Sequence, residues 1–263
     1  MKMSKSNFDN NQNYFNFIDN KTIPLVFVHG VGLDHKMWNS QIKSFLNFST
    51  LTYDLLGHGK TNLEKDNVTL DDFSNQLLSI LDFLKIEKIN LVGFSLGSLI
   101  ALDFASKFDK KINSLSLIGT TYKRTDEQRK LVIDRYNQAK LNKPISKQAL
   151  KRWFSDKYLN EHPETYDEFM QILNKSPNDH KNFLKSYNLF ANHVDDIEKI
   201  KKINCRTLVM TGSNDPGSTP LMSKELSSDL ANARFIEIPD GKHLCSIECA
   251  DIVNKNINKF IEN

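Results

Sequence analysis

The nine residues from 89 to 97, Ile-Asn-Leu-Val-Gly-Phe-Ser-Leu-Gly, constrain the fold of this chain more than any other stretch. An apolar run of strand character breaks into a Gly-x-Ser-x-Gly turn, and the apolar residues 99–102 behind it are typical of a helix. Gly93 and Gly97 flank Ser95 because side chains there would collide with the neighbouring strand and helix as the turn closes. A serine at the tip of such a turn becomes a nucleophile when a histidine takes its proton. This context favours a nucleophilic Ser95 over a structural turn serine.

Strand and helix patterns alternate through most of the chain. The predicted strands are the apolar stretch before Ser95 and residues 25–28, 49–53, 112–118, 206–211 and 233–238. Thr69 is the predicted N-cap of the first long helix, a second helix runs from the Ser95 turn to about residue 108, and another closes the chain at about residues 250–261. Alternation at this spacing predicts βαβ units and a mostly parallel sheet flanked by helices.

The alternation stops between residues 121 and 198, where the pattern is almost wholly helical. This insertion follows the sixth expected strand, so it emerges at the carboxyl ends of the strands, where ligands bind in sheets of this kind. We therefore expect a helical lid at residues 121–198 over Ser95. The core domain is then formed by residues 1–120 and 199–263.

The first 22 residues are polar and rich in asparagine. Only residues 14–18 read as a strand there. We expect an irregular lead-in that leaves room for one edge hairpin.

A serine nucleophile needs a base and an acid that orients the base. Asp215 follows the strand at residues 206–211, on a loop from which a carboxylate can reach an imidazole; the alternative is a turn aspartate before a proline. His243 lies on the loop after the last strand, and the chain order of serine, acid and histidine is that of one class of hydrolases. Asp240 has the setting of an ordinary turn residue. We therefore predict the catalytic residues Ser95, Asp215 and His243.

The negative charge that develops on the attacked carbonyl oxygen needs backbone donors. The N–H of Leu96 directly follows the nucleophile at the start of a helix. The second donor is expected from the loop after residues 25–28, where Gly30 and Gly32 free the backbone to approach a substrate and Val31 is the natural donor. We predict an oxyanion hole formed by Val31 and Leu96.

Composition excludes several other functions. The 35 basic and 32 acidic residues give a net charge of only +3, which indicates neither a nucleic-acid groove nor a polybasic membrane patch. Cys205, Cys245 and Cys249 have no disulfide or metal-ligand spacing, so a reducing compartment is expected. No secretory signal or run long enough for a membrane span is seen. We expect a soluble cytoplasmic protein, a monomer or homodimer, that uses no metal or cofactor and acts on a small molecule.

Five segments together resemble the α/β-hydrolase superfamily. They are His-Gly-Val-Gly at residues 29–32, Asp-Leu-Leu-Gly-His-Gly at 54–59, the Ser95 turn, Thr-Gly-Ser-Asn-Asp at 211–215 and Gly-Lys-His at 241–243. The resemblance runs from about residue 24 to the C-terminus and implies a serine hydrolase with a helical lid. Members usually carry a fuller antiparallel hairpin before that point, so the N-terminus departs from the pattern.

Two stretches, residues 32–38 and 151–154, are similar to the 3-oxoadipate enol-lactonases. In that subfamily a lid Arg-Trp pair meets a small acidic substrate, which assigns Arg152 and Trp153 to substrate binding. An arginine fork matches a carboxylate and a tryptophan offers an apolar wall. The alternative is a solvated Arg152 and a Trp153 in the lid core. Phe94 is predicted to line the pocket beside Ser95, with packing under the lid as its alternative.

The predicted activity is hydrolysis of a small carboxylic ester or lactone through an acyl-enzyme on Ser95. Three alternatives stay open from the sequence: a carbon–carbon bond hydrolase, an acyltransferase using the same residues, and a non-catalytic ligand-binding receptor on this fold.

Overall fold

The computed structural model describes residues 3–141, 146–173 and 175–262. The strands are β1 Met3–Phe8, β2 Tyr14–Asp19, β3 Leu25–Val28, β4 Thr50–Tyr53, β5 Ile89–Phe94, β6 Ile112–Ile118, β7 Thr207–Gly212 and β8 Ala233–Ile238. The helices are α1 Asn39–Ser44, α2 Leu70–Leu84, α3 Leu96–Lys107, α4 Asp126–Lys140, α5 Ser146–Trp153, α6 Asp156–Glu161, α7 Pro163–Leu173, α8 Pro177–Asn192, α9 Ile197–Lys201, α10 Pro220–Asp229, α11 Cys245–Glu248 and α12 Ala250–Glu262.

The described residues form one eight-stranded sheet in the order β1-β2-β4-β3-β5-β6-β7-β8. The β1–β2 and β2–β4 pairs are antiparallel, and every pair from β4 to β8 is parallel. The predicted mostly parallel sheet is confirmed, and the strand bounds differ from the predicted ones by a residue at most.

Each face of the sheet is covered by its own apolar core. Alternate residues of a strand point to opposite faces, and accordingly Val26 and Val28 pack in one cluster while Leu25 and Phe27 pack in the other. Helices α2, α3 and α10 supply apolar side chains to the first cluster, and α1 and α12 supply them to the second. Strands buried on both sides are held rigidly, which fixes the loops at their carboxyl ends.

The N-cap predicted at Thr69 is confirmed. The Thr69 hydroxyl accepts from the N–H of Asp72, and the Asp72 carboxylate accepts from the N–H of Thr69 at 2.8 Å. This reciprocal pair satisfies two backbone donors that the first turn of α2 would otherwise leave unpaired.

The strand order reverses at β3, which pairs with β4 on one side and with β5 on the other. Connections leave such a point in opposite directions, so a crevice opens at the carboxyl ends of the two central strands. The loop after β3 and the turn after β5 both border this crevice. Helices α4 to α8 lie between β6 and β7, where the insertion was predicted, and α4 packs against α8. The exact division at residues 121 and 198 stays a prediction, and α9 crosses the second of these boundaries.

The N-terminal segment contains the edge hairpin for which the prediction left room, and it is more regular than expected. Strand β1, which was not predicted, pairs along its full length with β2 and makes the sheet edge. The turn between them is held by Asp9, whose carboxylate accepts from the N–H groups of Asn11 and Asn13 and from the hydroxyl of Ser79 on α2. A partner about seventy positions away in the chain leaves no local pattern, and a polar edge strand lacks the apolar alternation that marks inner strands.

Candidate active site

Ser95 lies at the tip of the turn between β5 and α3. Its backbone has φ 53° and ψ −115°, a conformation that residues other than glycine rarely adopt. The turn is held by the Ser95 N–H, which donates to the carbonyl of Ile118 on β6 at 2.9 Å. A Cβ on Gly97 would collide with the carbonyl oxygen of Val28, and one on Gly93 would collide with the backbone of Gly97. The two glycines therefore allow α3 to pack close enough for the sharp turn to form.

A chain of hydrogen bonds connects Ser95, His243 and Asp215. His243 Nδ1 lies 2.7 Å from Asp215 Oδ2, and His243 Nε2 lies 3.2 Å from Ser95 Oγ. A carboxylate only accepts, so Nδ1 carries the proton and Nε2 is the free base that faces the hydroxyl. The serine and the aspartate are each only 4% exposed. The structure thus brings together the three residues predicted to be catalytic.

The second oxygen of Asp215 fixes its orientation. Oδ1 accepts from the backbone N–H groups of Gly217 at 2.8 Å and Ser218 at 2.9 Å, which leaves Oδ2 for the histidine. Asp240 is exposed and lies in a left-handed turn conformation with φ 60°. Its N–H donates to the hydroxyl of Ser213, and its carboxylate does not line the cavity described below.

The two predicted oxyanion donors lie on either side of the crevice. Leu96 is the first residue of α3 and is fully buried behind Ser95. First-turn N–H groups have no acceptor within their own helix, so they are available to a ligand. Val31 lines the cavity on the loop after β3. The position of both residues fits the predicted oxyanion hole.

The loop that carries Val31 is fixed by a buried histidine. His58 Nε2 accepts from the N–H of Gly32 at 3.0 Å, while its Nδ1–H donates to the carbonyl of Leu56. His29 similarly accepts from the N–H of Leu55. Burial lowers the pKa of both imidazoles, that of His58 well below its ordinary value, so both stay neutral and can accept. The sequence identified the motif containing His58 but not this contact with the oxyanion loop.

Seven of the eight predicted site residues line a single cavity of about 1030 Å³, its open mouth included; these are Val31, Phe94, Ser95, Arg152, Trp153, Asp215 and His243. Leu96 lies behind the wall. The sheet provides one side of the cavity and the helices between β6 and β7 provide the other.

Phe94 and Trp153 line the cavity and also pack. The Phe94 ring lies 4.9 Å from that of His243 between centroids, and it is only 2% exposed. Trp153 is half-buried and meets Phe169 edge to face at 6.1 Å. Each ring therefore lines the cavity and also packs against a neighbour, and substrate binding by either residue stays a prediction.

Arg152 is half-buried in the cavity wall rather than fully solvated. Its Nη1 donates to the carbonyl of Gln148 at 3.1 Å. Burial, and secondarily the positive charge of Arg135, lower the pKa of its guanidinium.

Two arginines in the wall were missed in the sequence, Arg124 and Arg135. A signal for the second exists, because one face of α4 supplies a periodic set to the cavity: Gln128, Leu131, Val132 and Arg135. The spacings of three and four are those of a single helix face. The prediction failed because the pattern does not say which face turns inward.

The end of α5 is bonded to the loop that carries His243. The N–H of Leu244 donates to the carbonyl of Trp153 at 2.9 Å, and Lys242 Nζ donates to the carbonyl of Lys151 at 2.8 Å. Both neighbours of His243 in the chain are thus tied to the helix that carries Arg152.

No group of three or more His, Cys, Asp or Glu side chains within residues 3–141, 146–173 and 175–262 is arranged to hold a metal ion. Over the same part of the chain, no helix is long and apolar enough to cross a lipid bilayer.

Known proteins resemble this chain over most of its length. Residues 23–249 match the family described as the alpha/beta hydrolase fold. An (E)-2-((N-methylformamido)methylene)succinate hydrolase of Acinetobacter baylyi is 26% identical over 257 residues, which cover 96% of this chain and 95% of that protein. The 3-oxoadipate enol-lactonase 1 of the same organism is 28% identical over 225 residues, covering 85% of this chain and 83% of the relative.

Among solved structures, the enol-lactonase of Burkholderia xenovorans superposes with a TM-score of 0.87 at 24% identity, covering 98% of this chain and 100% of that one. At that identity the likeness shows the fold alone. The family match and the relatives together support hydrolase activity on a small molecule. The chain belongs to the α/β-hydrolase fold family and resembles the 3-oxoadipate enol-lactonases.

Proposed function

We propose that this protein hydrolyses a small carboxylic ester or enol-lactone through an acyl-enzyme on Ser95. The observation that carries the proposal is the hydrogen-bonded chain from Asp215 through His243 to Ser95, which ends at the wall of a cavity. A serine, a base and an orienting carboxylate in this arrangement suit acyl transfer.

The reaction begins with attack of Ser95 Oγ on the substrate carbonyl carbon while His243 Nε2 takes the hydroxyl proton. The tetrahedral oxyanion is held by the N–H groups of Val31 and Leu96. His243 then gives the proton to the leaving oxygen, which breaks the ester bond and leaves an acyl group on Ser95. Water, deprotonated by His243, attacks this acyl group and releases the acid product. Asp215 stabilises the imidazolium in both halves.

An acidic substrate is supported by Arg152 and Trp153 in the cavity wall, which offer a carboxylate fork beside an apolar surface. The names of the two curated relatives refer to a succinate derivative and to an oxoadipate lactone, both of which are acidic compounds. Cofactor-free action, a cytoplasmic location and a monomeric or homodimeric state remain predictions from the sequence.

The test is steady-state hydrolysis of p-nitrophenyl acetate, p-nitrophenyl butyrate and an enol-lactone by the wild type, Ser95→Ala and Ser106→Ala. We expect Ser95→Ala to lose at least about 10⁴-fold in kcat. Ser106 lies on the same helix with its hydroxyl bonded to the carbonyl of Asp103, so Ser106→Ala is the matched control and should keep full activity.

Turnover that survives Ser95→Ala contradicts the mechanism. Absence of turnover in the wild type favours the receptor alternative. Preferential transfer of the acyl group to an added alcohol instead of water favours the acyltransferase.

A further inference from the structure

Three arginines, Arg124, Arg135 and Arg152, line the cavity, and their partners differ. Arg124 is bonded to the protein through one nitrogen: its Nη2 donates to the carbonyls of Phe190 at 2.9 Å and His193 at 3.1 Å, while its Nη1 is buried without a hydrogen-bond partner in the described part of the chain. The carboxylate of Asp195 is close enough to Arg124 to favour its charged form. Arg124 therefore serves mainly to hold the segments around α4 and α8 together.

Arg135 and Arg152 have no such counter-charge. Within the described ranges the Arg135 side chain makes no hydrogen bond or ion pair, and the Arg152 side chain bonds only the carbonyl of Gln148. The carboxylate in the described cavity wall belongs to Asp215, and both of its oxygens are already taken. The stretches outside the described ranges contain no aspartate or glutamate in the sequence, so they add no acidic side chain.

Two like charges held together in a half-buried wall are unfavourable by themselves. Each guanidinium has lost part of its water, and each repels the other. The pKa of Arg152 is lowered by burial first and by the charge of Arg135 second, with a smaller opposing influence of Tyr187. Such an arrangement is stabilised when an anion occupies the space between the two groups.

The partners of the charged groups indicate what the ligand should carry. Arg124 lies near Asp195, and both oxygens of Asp215 are occupied by His243 and by backbone N–H groups. Arg135 and Arg152 are therefore the two guanidinium groups of the described wall that have no acidic partner. The rest of that wall near them is apolar, with Leu131, Trp153 and Tyr187. A ligand that offers one carboxylate to each of these two guanidinium groups has a short carbon skeleton and two carboxylates.

We propose that Arg135 and Arg152 form a subsite for two carboxylate groups, so that the substrate is a dicarboxylate carrying the ester or lactone bond that Ser95 attacks. This proposal rests on the proposed function for the reacting bond. It adds Arg135 as a specificity-determining residue and names the substrate as a dianion rather than a monoacid.

The kinetic test compares p-nitrophenyl butyrate, mono-p-nitrophenyl glutarate and the mono-p-nitrophenyl ester of propane-1,2,3-tricarboxylic acid, which carry zero, one and two carboxylates. We expect kcat/KM to rise with each added carboxylate, by about tenfold for the second. Arg135→Gln and Arg152→Gln each lower kcat/KM for the dianionic ester about tenfold more than they lower it for the neutral ester, mainly through KM.

Lys130→Gln is the matched control. Lys130 is an exposed residue of α4 that does not line the cavity. The substitution therefore removes one positive charge from the helix that carries Arg135 without changing the subsite. The proposal is overturned if the dianionic ester is no better than the monoanionic one, or if the arginine variants slow all three esters equally.

A binding measurement separates this proposal from the hydrolase proposal. Calorimetric titration of the wild type with succinate and with propionate needs no chemistry at Ser95. Saturable succinate binding that weakens at least about tenfold in Arg135→Gln and Arg152→Gln, with no ester turnover, keeps the subsite and rejects the hydrolase. Ester turnover that depends on Ser95, without succinate binding or any preference for the dianionic ester, keeps the hydrolase and rejects the subsite.

Discussion

The two sides of the cavity are built in different ways. On the sheet side, Ser95, Asp215 and His243 follow the parallel strands β5, β7 and β8, and each is fixed by hydrogen bonds of 2.7–3.2 Å to a neighbour in the site. On the side formed by the helices between β6 and β7 (the lid side), Arg135 and Arg152 lie on α4 and α5. Both are half-buried and without a counter-charge in the described wall. The sheet side is complete without a ligand, and the lid side is not.

This difference separates reaction from selection. Groups that perform chemistry must be held in one geometry before the substrate arrives. Groups that select the substrate can lack hydrogen-bond partners and counter-charges until a ligand supplies them. Substitutions on the sheet side should therefore lower kcat for every substrate. The effect of substitutions on the lid side on kcat/KM should depend on the charge of the substrate.

The largest effect is expected from Asp215→Asn. An amide in this position cannot hold His243 in the tautomer that leaves Nε2 free, so kcat should fall about 10⁴-fold for neutral and anionic esters alike. Asp240→Asn is the control, because asparagine tolerates the left-handed conformation found there and the residue is exposed. A loss confined to anionic esters in Asp215→Asn would erase the contrast between the two sides.

Low pH should lower the free energy of unfolding through His29 and His58, which lie on the sheet side. Below about pH 6.5, the unfolded chain takes up protons that these two buried imidazoles do not accept. Because the unfolded state then binds more protons, the free energy of unfolding falls as pH falls, by up to about 1.4 kcal/mol per pH unit for each histidine. Urea titrations between pH 7 and 5.5 measure the slope, and His58→Gln should reduce it by about half. A stability that is flat across this range contradicts the burial of neutral histidines.

A smaller effect is expected from the contact between His58 and Gly32. His58→Ala removes the acceptor for the Gly32 N–H and loosens the loop of Val31, so kcat should fall about tenfold for all esters while KM changes little. His58→Gln, which places an amide oxygen near the former Nε2, should recover most of this loss. An equal loss in both variants, or a change in KM alone, would indicate a role in packing instead of in positioning the oxyanion donor.

The smallest effects come from two matched helix caps. Thr69 caps α2 in the core and Thr125 caps α4 in the lid, each within a reciprocal pair with the third residue of its helix. Alanine at either position should cost about 1 kcal/mol. We expect Thr69→Ala to lower the global free energy of unfolding, and Thr125→Ala to speed hydrogen exchange of the α4 amides with little change in the global value. Equal global losses would mean that the lid and the core unfold as one unit.

The same contrast explains how much could be predicted from the sequence. Ser95, Asp215 and His243 each follow a short apolar strand, and parallel strands bring their ends to one edge, so a local pattern was enough to place them. Arg152 was found through its resemblance to the enol-lactonases, and Arg135 was missed because a charged residue on an amphipathic helix is usually solvated. Strand β1 was not predicted, because the turn that follows it is held by a bond between Asp9 and Ser79, far along the chain.

The bonds between α5 and the loop of His243 have a further consequence. If α5 moves away from the cavity, the bonds of Leu244 and Lys242 to its last turn must break, and these residues flank the proposed base. Under the proposed function, the position of α5 over the cavity and the alignment of the imidazole are therefore coupled through the backbone. A displacement of the helix that carries Arg152 would disturb both chain neighbours of the proposed base.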